Sequence, residues 1–295
     1  MLVPTYKRLP STLHSARAGV ASLYCIALSL AAALFPHPLV LAAVAFAVIA
    51  AGAFAGVGRE LVTRSLRLAL PFALLVVAIN GLVSQRGASV LLRLGTVLGH
   101  RFDVTAESLG WGAVTAMQIC CIFLAFGLFA AVVDPDELLK LMRRVSYRSA
   151  LTGSLATRLV PVIARDAARM GDAARCRPTP PGRLEVTRAA LTGALERSVE
   201  VAAALEVRGY AAARPPRRAP KPWSRHDRRV LAGTLLVAGA AITASVAGVG
   251  WIEHDPVLRM GAGSGELALI AAIVAGGVLP FAGARARLGV GVARG

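Results

Sequence analysis

Between residues 18 and 58 the chain carries no Asp, Glu, Lys or Arg. A membrane-crossing helix needs about 20 apolar residues, so this run is long enough for two. Phe35-Pro36-His37-Pro38 divides it, because proline removes a backbone donor and pushes the preceding residue out of the helical region. The expectation is a pair of helices joined by a tight connection. Uncharged runs of span length recur at residues 68–85, 108–133, 230–252 and 267–284, giving about six spans. Mean hydropathy is +0.63 and 56% of residues are hydrophobic, above the roughly 45–50% of soluble domains. Lipid is the solvent this composition fits. The fold class expected is an all-α integral membrane protein.

The formal net charge of +17 lies between and beyond the apolar runs, the placement expected when Lys and Arg stay on the cytoplasmic side. The basic N-terminal segment and the Arg59, Arg64 and Arg67 loop face inward on this rule, and both termini are expected in the cytoplasm. The connection 86–107 breaks the pattern, since it must face out yet carries Arg86, Arg93 and Arg101. Lys7, Arg8 and Arg17 before the first run imitate a signal peptide, but the run exceeds signal length and a retained helix is expected. Three regions follow: a membrane region at 1–133, a cytoplasmic region at 134–229 with 20 Lys and Arg against 10 Asp and Glu, and a second membrane region at 230–295. This charge placement argues for a membrane and against a nucleic-acid partner.

The cytoplasmic segment opens with helix-start grammar, Asp134 as cap, Pro135 at the first position and Glu137 three residues after the cap. Two amphipathic helices are expected after it. Over 155–176, Arg158, Arg165, Arg169 and Asp172 share one face, with Leu155, Leu159, Val162 and Met170 on another. Over 184–207, Leu184, Leu191, Leu195, Val199 and Ala202 oppose Arg188, Glu196, Arg197 and Glu200. Internal packing is the default role of Leu155, Leu159, Leu191 and Leu195. Pro178, Pro180 and Pro181 end the first helix, and Gly209 followed by Pro215 and Pro216 ends the second. Each thus finishes on an arginine, Arg177 and Arg208. Such arginines ordinarily complement the helix dipole.

Within the spans, Asn80 and Gln118 are expected to hydrogen-bond neighbouring helices. Gly52, Gly56 and Gly127 either permit close helix approach or reflect ordinary membrane-helix composition. Cys25, Cys120, Cys121 and Cys176 show no metal-ligand spacing and are expected to be packing residues. No cofactor is expected.

At the two helix ends the sequence resembles the transmembrane T component of energy-coupling factor transporters, the EcfT/CbiQ family, whose marker is a pair of short Ala-Arg-Gly motifs. Glu206-Val207-Arg208-Gly209-Tyr210 resembles the second, with Val in place of Ala. Ala174-Arg175-Cys176-Arg177-Pro178 resembles the first more distantly: Cys176 and Pro178 stand where the family has Ala and Gly. Ser11-Thr12-Leu13-His14, Asn80-Gly81, the stretch 105–109, the stretch 134–139 and Arg158-Leu159-Val160-Pro161 are also similar, so the resemblance runs from about residue 11 to about 229. It implies a non-catalytic scaffold whose coupling helices seat two ATP-binding-cassette ATPase subunits and whose membrane face holds a substrate-binding S component, for uptake of a vitamin or a transition metal. The residues it implies for ATPase coupling are Arg177, Arg208, Gly209, Glu206, Cys176 and Pro178.

The chain has no GxxxxGK[ST], HExxH or GxSxG motif, so ATP hydrolysis is expected of partners rather than of this chain. His14, His37, His100, His226 and His254 are scattered among different connections and gather no enzyme site. A stand-alone secondary transporter is the alternative, although it ordinarily places ionisable groups in mid-span. A membrane anchor that recruits a soluble partner through the basic segment shares most of the same features.

Overall fold

The structure, a computed structural model, describes residues 9, 11–83, 90–97, 100–142, 147–178, 181–209, 222–249 and 263–282. In chain order its elements are α1 (Thr12–Ser15), α2 (Ala18–Leu34), α3 (Pro38–Phe54), α4 (Gly58–Val83), β1 (Val90–Val97), β2 (His100–Thr105), α5 (Ala106–Val132), α6 (Pro135–Met142), α7 (Tyr147–Arg175), α8 (Arg183–Val207), α9 (Arg225–Val246) and α10 (Ser264–Val278), closed by a 3-10 turn, Leu279–Phe281. They form two units, one of residues 1–134 with 222–295 and one of residues 135–221.

The first unit holds the apolar helices. α4, α5, α9 and α10 with its 3-10 turn are long and apolar enough to cross a membrane, while α2 and α3 have 17 residues each, the short end of the spanning range. The break between α2 and α3 falls where the prolines put it, with Pro38 opening α3. Two connections differ from expectation. The basic segment after α3 is helical: Gly56 turns the chain at φ +80, Val57 N–H bonds Gly52 C=O at 2.9 Å, and α4 starts at Gly58. Arg59, Arg64 and Arg67 therefore ride on its first turns, and Arg64 meets Glu60 at 3.7 Å. The expected outer connection contains an antiparallel hairpin, β1 with β2, in which Val97 pairs with His100 and Val90 with Thr105. Thr105 also caps α5, its Oγ1 accepting the Ser108 N–H at 3.2 Å. The membrane helices remain all-α, and the hairpin is an addition outside them.

Small residues set the helix spacing. A Cβ on Gly233 would stand 2.5 Å from the Gly276 carbonyl oxygen, and one on Gly277 would stand 2.5 Å from Ala47 Cβ. These contacts press α10 onto α9 and α3. Tyr24 Oη of α2 donates to Gly277 C=O at 2.7 Å, so α2 is tied to the same place. Gly127 faces Ser65 and Leu61 of α4 with no room for a side chain, and Gly52 faces Leu61. Close approach is thus what Gly52 and Gly127 permit, whereas Gly56 serves a turn. In lipid, where apolar surface alone gives helices no reason to associate, such contacts and interhelical hydrogen bonds hold a bundle together.

Gln118 of α5 meets the expectation of an interhelical bond: its Nε2 donates to Ala32 C=O at 3.0 Å and to Ala33 C=O at 2.9 Å. Those carbonyls belong to the last turn of α2, which the helix itself leaves unpaired. Asn80 does not meet it. Its Nδ2 bonds Val76 C=O of its own helix at 2.9 Å, while α5 packs against it at Gly112, where an added Cβ would lie 3.2 Å from Asn80 Cβ. Cys121 packs in the core with Sγ 3.4 Å from Leu41 O.

The starts of α2 and α9 are fastened by one carboxylate. Asp227, 2% exposed, accepts the Arg17 backbone N–H at 2.7 Å through Oδ1 and the Ser224 backbone N–H at 2.9 Å through Oδ2. Ser224 returns the bond by accepting the Asp227 N–H at 3.1 Å, completing a capping box. The Arg17 guanidinium lies 3.6 Å from Asp227 Oδ2 and stacks over Trp223 at 4.9 Å.

In the second unit α6 starts at Pro135, as its capping grammar indicates, and packs on α7, whose Gly153 faces Leu139. α7 begins at Tyr147, well before the expected start near residue 155, and passes through Pro161 without ending. α8 runs back antiparallel to it. Met170 approaches Gly193, and Asp166 Oδ2 meets Arg197 Nη1 at 3.0 Å.

Asp227→Ala should cost roughly 2–4 kcal/mol, because two buried N–H donors lose a charged acceptor, and should lower the unfolding midpoint in detergent. Arg17→Ala should cost less, its guanidinium being partly exposed and screened. Gly276→Val should destabilise strongly through overlap with Gly233 and Val237. Gly239→Ala, with nothing within 4 Å of the added methyl, should be neutral or stabilising by up to about 1 kcal/mol. Thermal unfolding followed by size-exclusion fluorescence separates the four.

Candidate functional site

Exposed charged groups of the second unit lie on a two-helix hairpin. Ile163, Ala167, Gly171 and Ala174 of α7 and Val186, Ala190 and Leu191 of α8 line a groove of about 620 Å³ near the turn that joins the helices, and Gly193 meets Met170 farther along. Asp166 and Arg197 close the seam farther from the turn. These two lie equally far along the chain from Pro181-Gly182, and that spacing is the signal that antiparallel pairing brings them together.

The sequence singles out the two ends of this hairpin. α7 ends at Arg175, after which the Cys176 N–H bonds Ala173 C=O at 3.2 Å and the Arg177 N–H bonds Ala174 C=O at 3.3 Å. Cys176, Arg177 and Pro178 are all exposed in this turn. α8 ends at Val207, and Arg208 is its C-cap, with its N–H 3.2 Å from Ala204 C=O. Gly209 follows at φ +72, the left-handed conformation in which a helix commonly stops. Its N–H bonds Glu206 C=O at 2.8 Å. Pro178 cannot adopt that conformation, so the turn after Arg177 has a different shape from the one after Arg208. This is the physical content of the departure from Gly at position 178.

Because α7 and α8 are antiparallel, Arg177 and Arg208 lie at opposite ends of the hairpin. With 25 residues in α8 and 1.5 Å of rise per residue, the ends are separated by about 37 Å. Both side chains are exposed, and among the described residues neither guanidinium has an ion-pair partner. The neighbouring Arg175, by contrast, reaches Asp172 at 3.5 Å. The structure therefore offers two separate cationic tips on one stiff element.

The leucines of α8 do not pack as expected. Leu191 and Leu195 are 58% and 68% exposed, with Leu184 and Val199 exposed beside them. Leu155 and Leu159 of α7 are half-buried. The reason lies in the seam: α8 meets α7 through Ala190 and Gly193, Leu191 only borders the groove, and Leu184, Leu195 and Val199 fall on the far side of the helix. Arg158, Arg165 and Arg169 share an exposed face of α7, as their spacing indicates. Among the described residues no three of His, Cys, Asp and Glu come together as metal ligands do, and the chemistry the hairpin ends offer is binding through guanidinium forks.

The model of one family, CbiQ, described as a cobalt transport protein, matches residues 10–218. No curated protein matches the chain. The matched residues take in α1 to α8 and both hairpin ends, and stop short of α9 and α10. The chain belongs to this EcfT/CbiQ family of cobalt transport proteins, as a multi-pass membrane component of a transport system.

Proposed function

We propose that the chain is the coupling T component of an energy-coupling-factor ABC importer, linking ATP hydrolysis by two partner ATPase subunits to movement of a substrate-binding S component in the cell membrane. Both termini and the hairpin face the cytoplasm in this reading, as the distribution of Lys and Arg favours. The observation that carries it is the pair of exposed guanidiniums, without an ion-pair partner among the described residues, at opposite ends of one antiparallel hairpin. A guanidinium grips a carboxylate or a set of carbonyls in fork geometry and stays charged at any working pH. Each end seats one ATPase, with Arg177 flanked by Cys176 and Pro178 and Arg208 flanked by Glu206 and Gly209.

When two ATPases close on ATP, the ends they hold must move. α8 is too stiff to shorten, so the motion is a scissoring of α7 against α8. A seam that includes Ala167, Gly171, Ala190 and Gly193, with an open groove near the turn, resists such sliding less than one of interdigitated large side chains throughout would. Asp166 and Arg197, paired at 3.0 Å across the seam, serve as the pivot. The exposed leucines of α8 carry the motion to the S component. The cargo, cobalt by the family's description or another small nutrient, is bound by that S component.

Co-expression with the ABC ATPase subunits of the same genome tests the reading. The wild-type chain should co-purify with them, and Arg177→Glu with Arg208→Glu should lose them while keeping its elution profile. Each single reversal should weaken retention by at least tenfold, since a desolvated charge pair replaced by like charges costs several kcal/mol. A wild-type chain that is folded but retains no ATPase would overturn the proposal.

A further inference from the structure

Three arginines fall in the first turns of α9. Arg225, Arg228 and Arg229 are all exposed, and their spacing places them within about 100° around the helix. Val230, Gly233, Val237 and Ala241, buried against the rest of the membrane unit, lie on the other side. Cations are at a disadvantage in the first turns of a helix, where the backbone dipole is positive. Among the described residues no acidic side chain offsets this. Asp227 is the one acid of α9, is turned into the bundle, and gives its oxygens to the Arg17 and Ser224 N–H groups. Arg225 and Arg228 have no ion pair among the described residues, and Arg229 places one nitrogen on the Ala282 carbonyl at 2.7 Å. The contrast is α4, whose Arg64 meets Glu60. Farther along α9 the same side becomes apolar, with Leu235, Leu236 and Val246 all exposed. One face of one helix thus passes from guanidiniums to bare apolar side chains.

We propose that this face of α9 binds an anionic phospholipid, its phosphate held by Arg225, Arg228 and Arg229 and its acyl chains lying along Leu235 and Leu236. Both halves of the face select the occupant. Guanidinium forks match phosphate oxygens, and the negative charge also meets the positive end of the helix. The leucines select an amphiphile over a soluble phosphate, which would leave them bare. α9 supplies the depth by itself. It is long and apolar enough to cross a bilayer, and its charges end at Arg229, directly before the uncharged run 230–252. The arginines therefore lie at headgroup level whichever way the helix points. Retention of cations on the cytoplasmic side accounts for the sign of this charge, but not for an acid turned inward while three arginines face out. Trp223 stacks on the partly exposed Arg17 at 4.9 Å just before α9, and an indole beside a cationic cluster suits the same interfacial level. The site is independent of any ATPase contact at the hairpin ends.

The half-exposed Trp223 reports on the site. In the full-length chain, Trp111→Phe with Trp251→Phe leaves it the sole tryptophan. This parent protein is placed in phosphatidylcholine nanodiscs that carry a small share of a lipid with a quencher high on its acyl chain, either phosphatidylglycerol or phosphatidylcholine. The anionic quencher should be preferred over the neutral one by at least about fivefold, the contribution of one arginine near an anionic headgroup. The preference should vanish in the triple variant Arg225→Gln, Arg228→Gln, Arg229→Gln. Arg225→Gln with Arg228→Gln leaves the Arg229 bond to Ala282 in place and should reduce the preference strongly with an unchanged elution profile. Equal quenching by the two lipids in the parent protein overturns the proposal, as does a preference that the triple variant keeps. Displacement of the anionic quencher by inorganic phosphate, at an ionic strength matched with chloride, would make the ligand a soluble phosphate and also overturn it. Loss of co-purified ATPase from the triple variant, with equal quenching by the two lipids in the parent, would make the face a protein contact and do the same.

Discussion

A helix end that meets an apolar slab leaves N–H and C=O groups that water cannot reach, so the chain must satisfy them itself. The membrane unit follows from how that is done. Asp227 takes a backbone N–H from the start of α2 and another from the start of α9. Gln118 takes two carbonyls at the end of α2. Thr105 takes a first-turn N–H of α5. Each of these bonds closes a helix end, and the first two also join helices distant in sequence. α2 is therefore fixed at both ends, and Tyr24 fixes it in between by reaching Gly277 of α10. The last two helices lie beyond the family match, yet their glycines and Asp227 make them part of the same core as α2 and α3.

The second unit is built on the opposite principle. Its helices expose charges and large apolar groups, and its seam is narrow. Such an element has little to stabilise it alone and much to offer partners: two cationic ends, an arginine edge and a leucine edge.

Much of this was legible from residue chemistry. The break at Pro36 and Pro38, the start of α6 at Pro135 and the stop at Gly209 follow from backbone restrictions that hold whatever surrounds them. Long-range pairings were less legible. Ser224 with Asp227 reads as a capping box, but nothing local says that the same carboxylate also binds Arg17. Asn80 and Gln118 look alike in an apolar run, and only the packed structure shows that Asn80 bonds within its own helix and Gln118 bonds the end of α2. The hairpin of β1 and β2 hid in a connection judged by its charges rather than by its Val, Leu and Thr content. The leucines of α8 misled for a related reason: periodicity locates an apolar face, but the small residues on the other side chose which face meets α7. Arg177 and Arg208 stood out as helix ends, and antiparallel pairing is what puts them at opposite ends of one element.

The central claim is that nucleotide binding by partner ATPases changes the angle between α7 and α8. The most direct measurement is the distance between spin labels at Thr157→Cys of α7 and Val207→Cys of α8, both on exposed positions, in the ATPase complex with Cys120→Ala and Cys176→Ser, by double electron–electron resonance. A changed distance on ATP binding that is absent from Arg177→Glu with Arg208→Glu is what scissoring predicts. Identical distance distributions with and without ATP, in a complex that hydrolyses ATP, would contradict it.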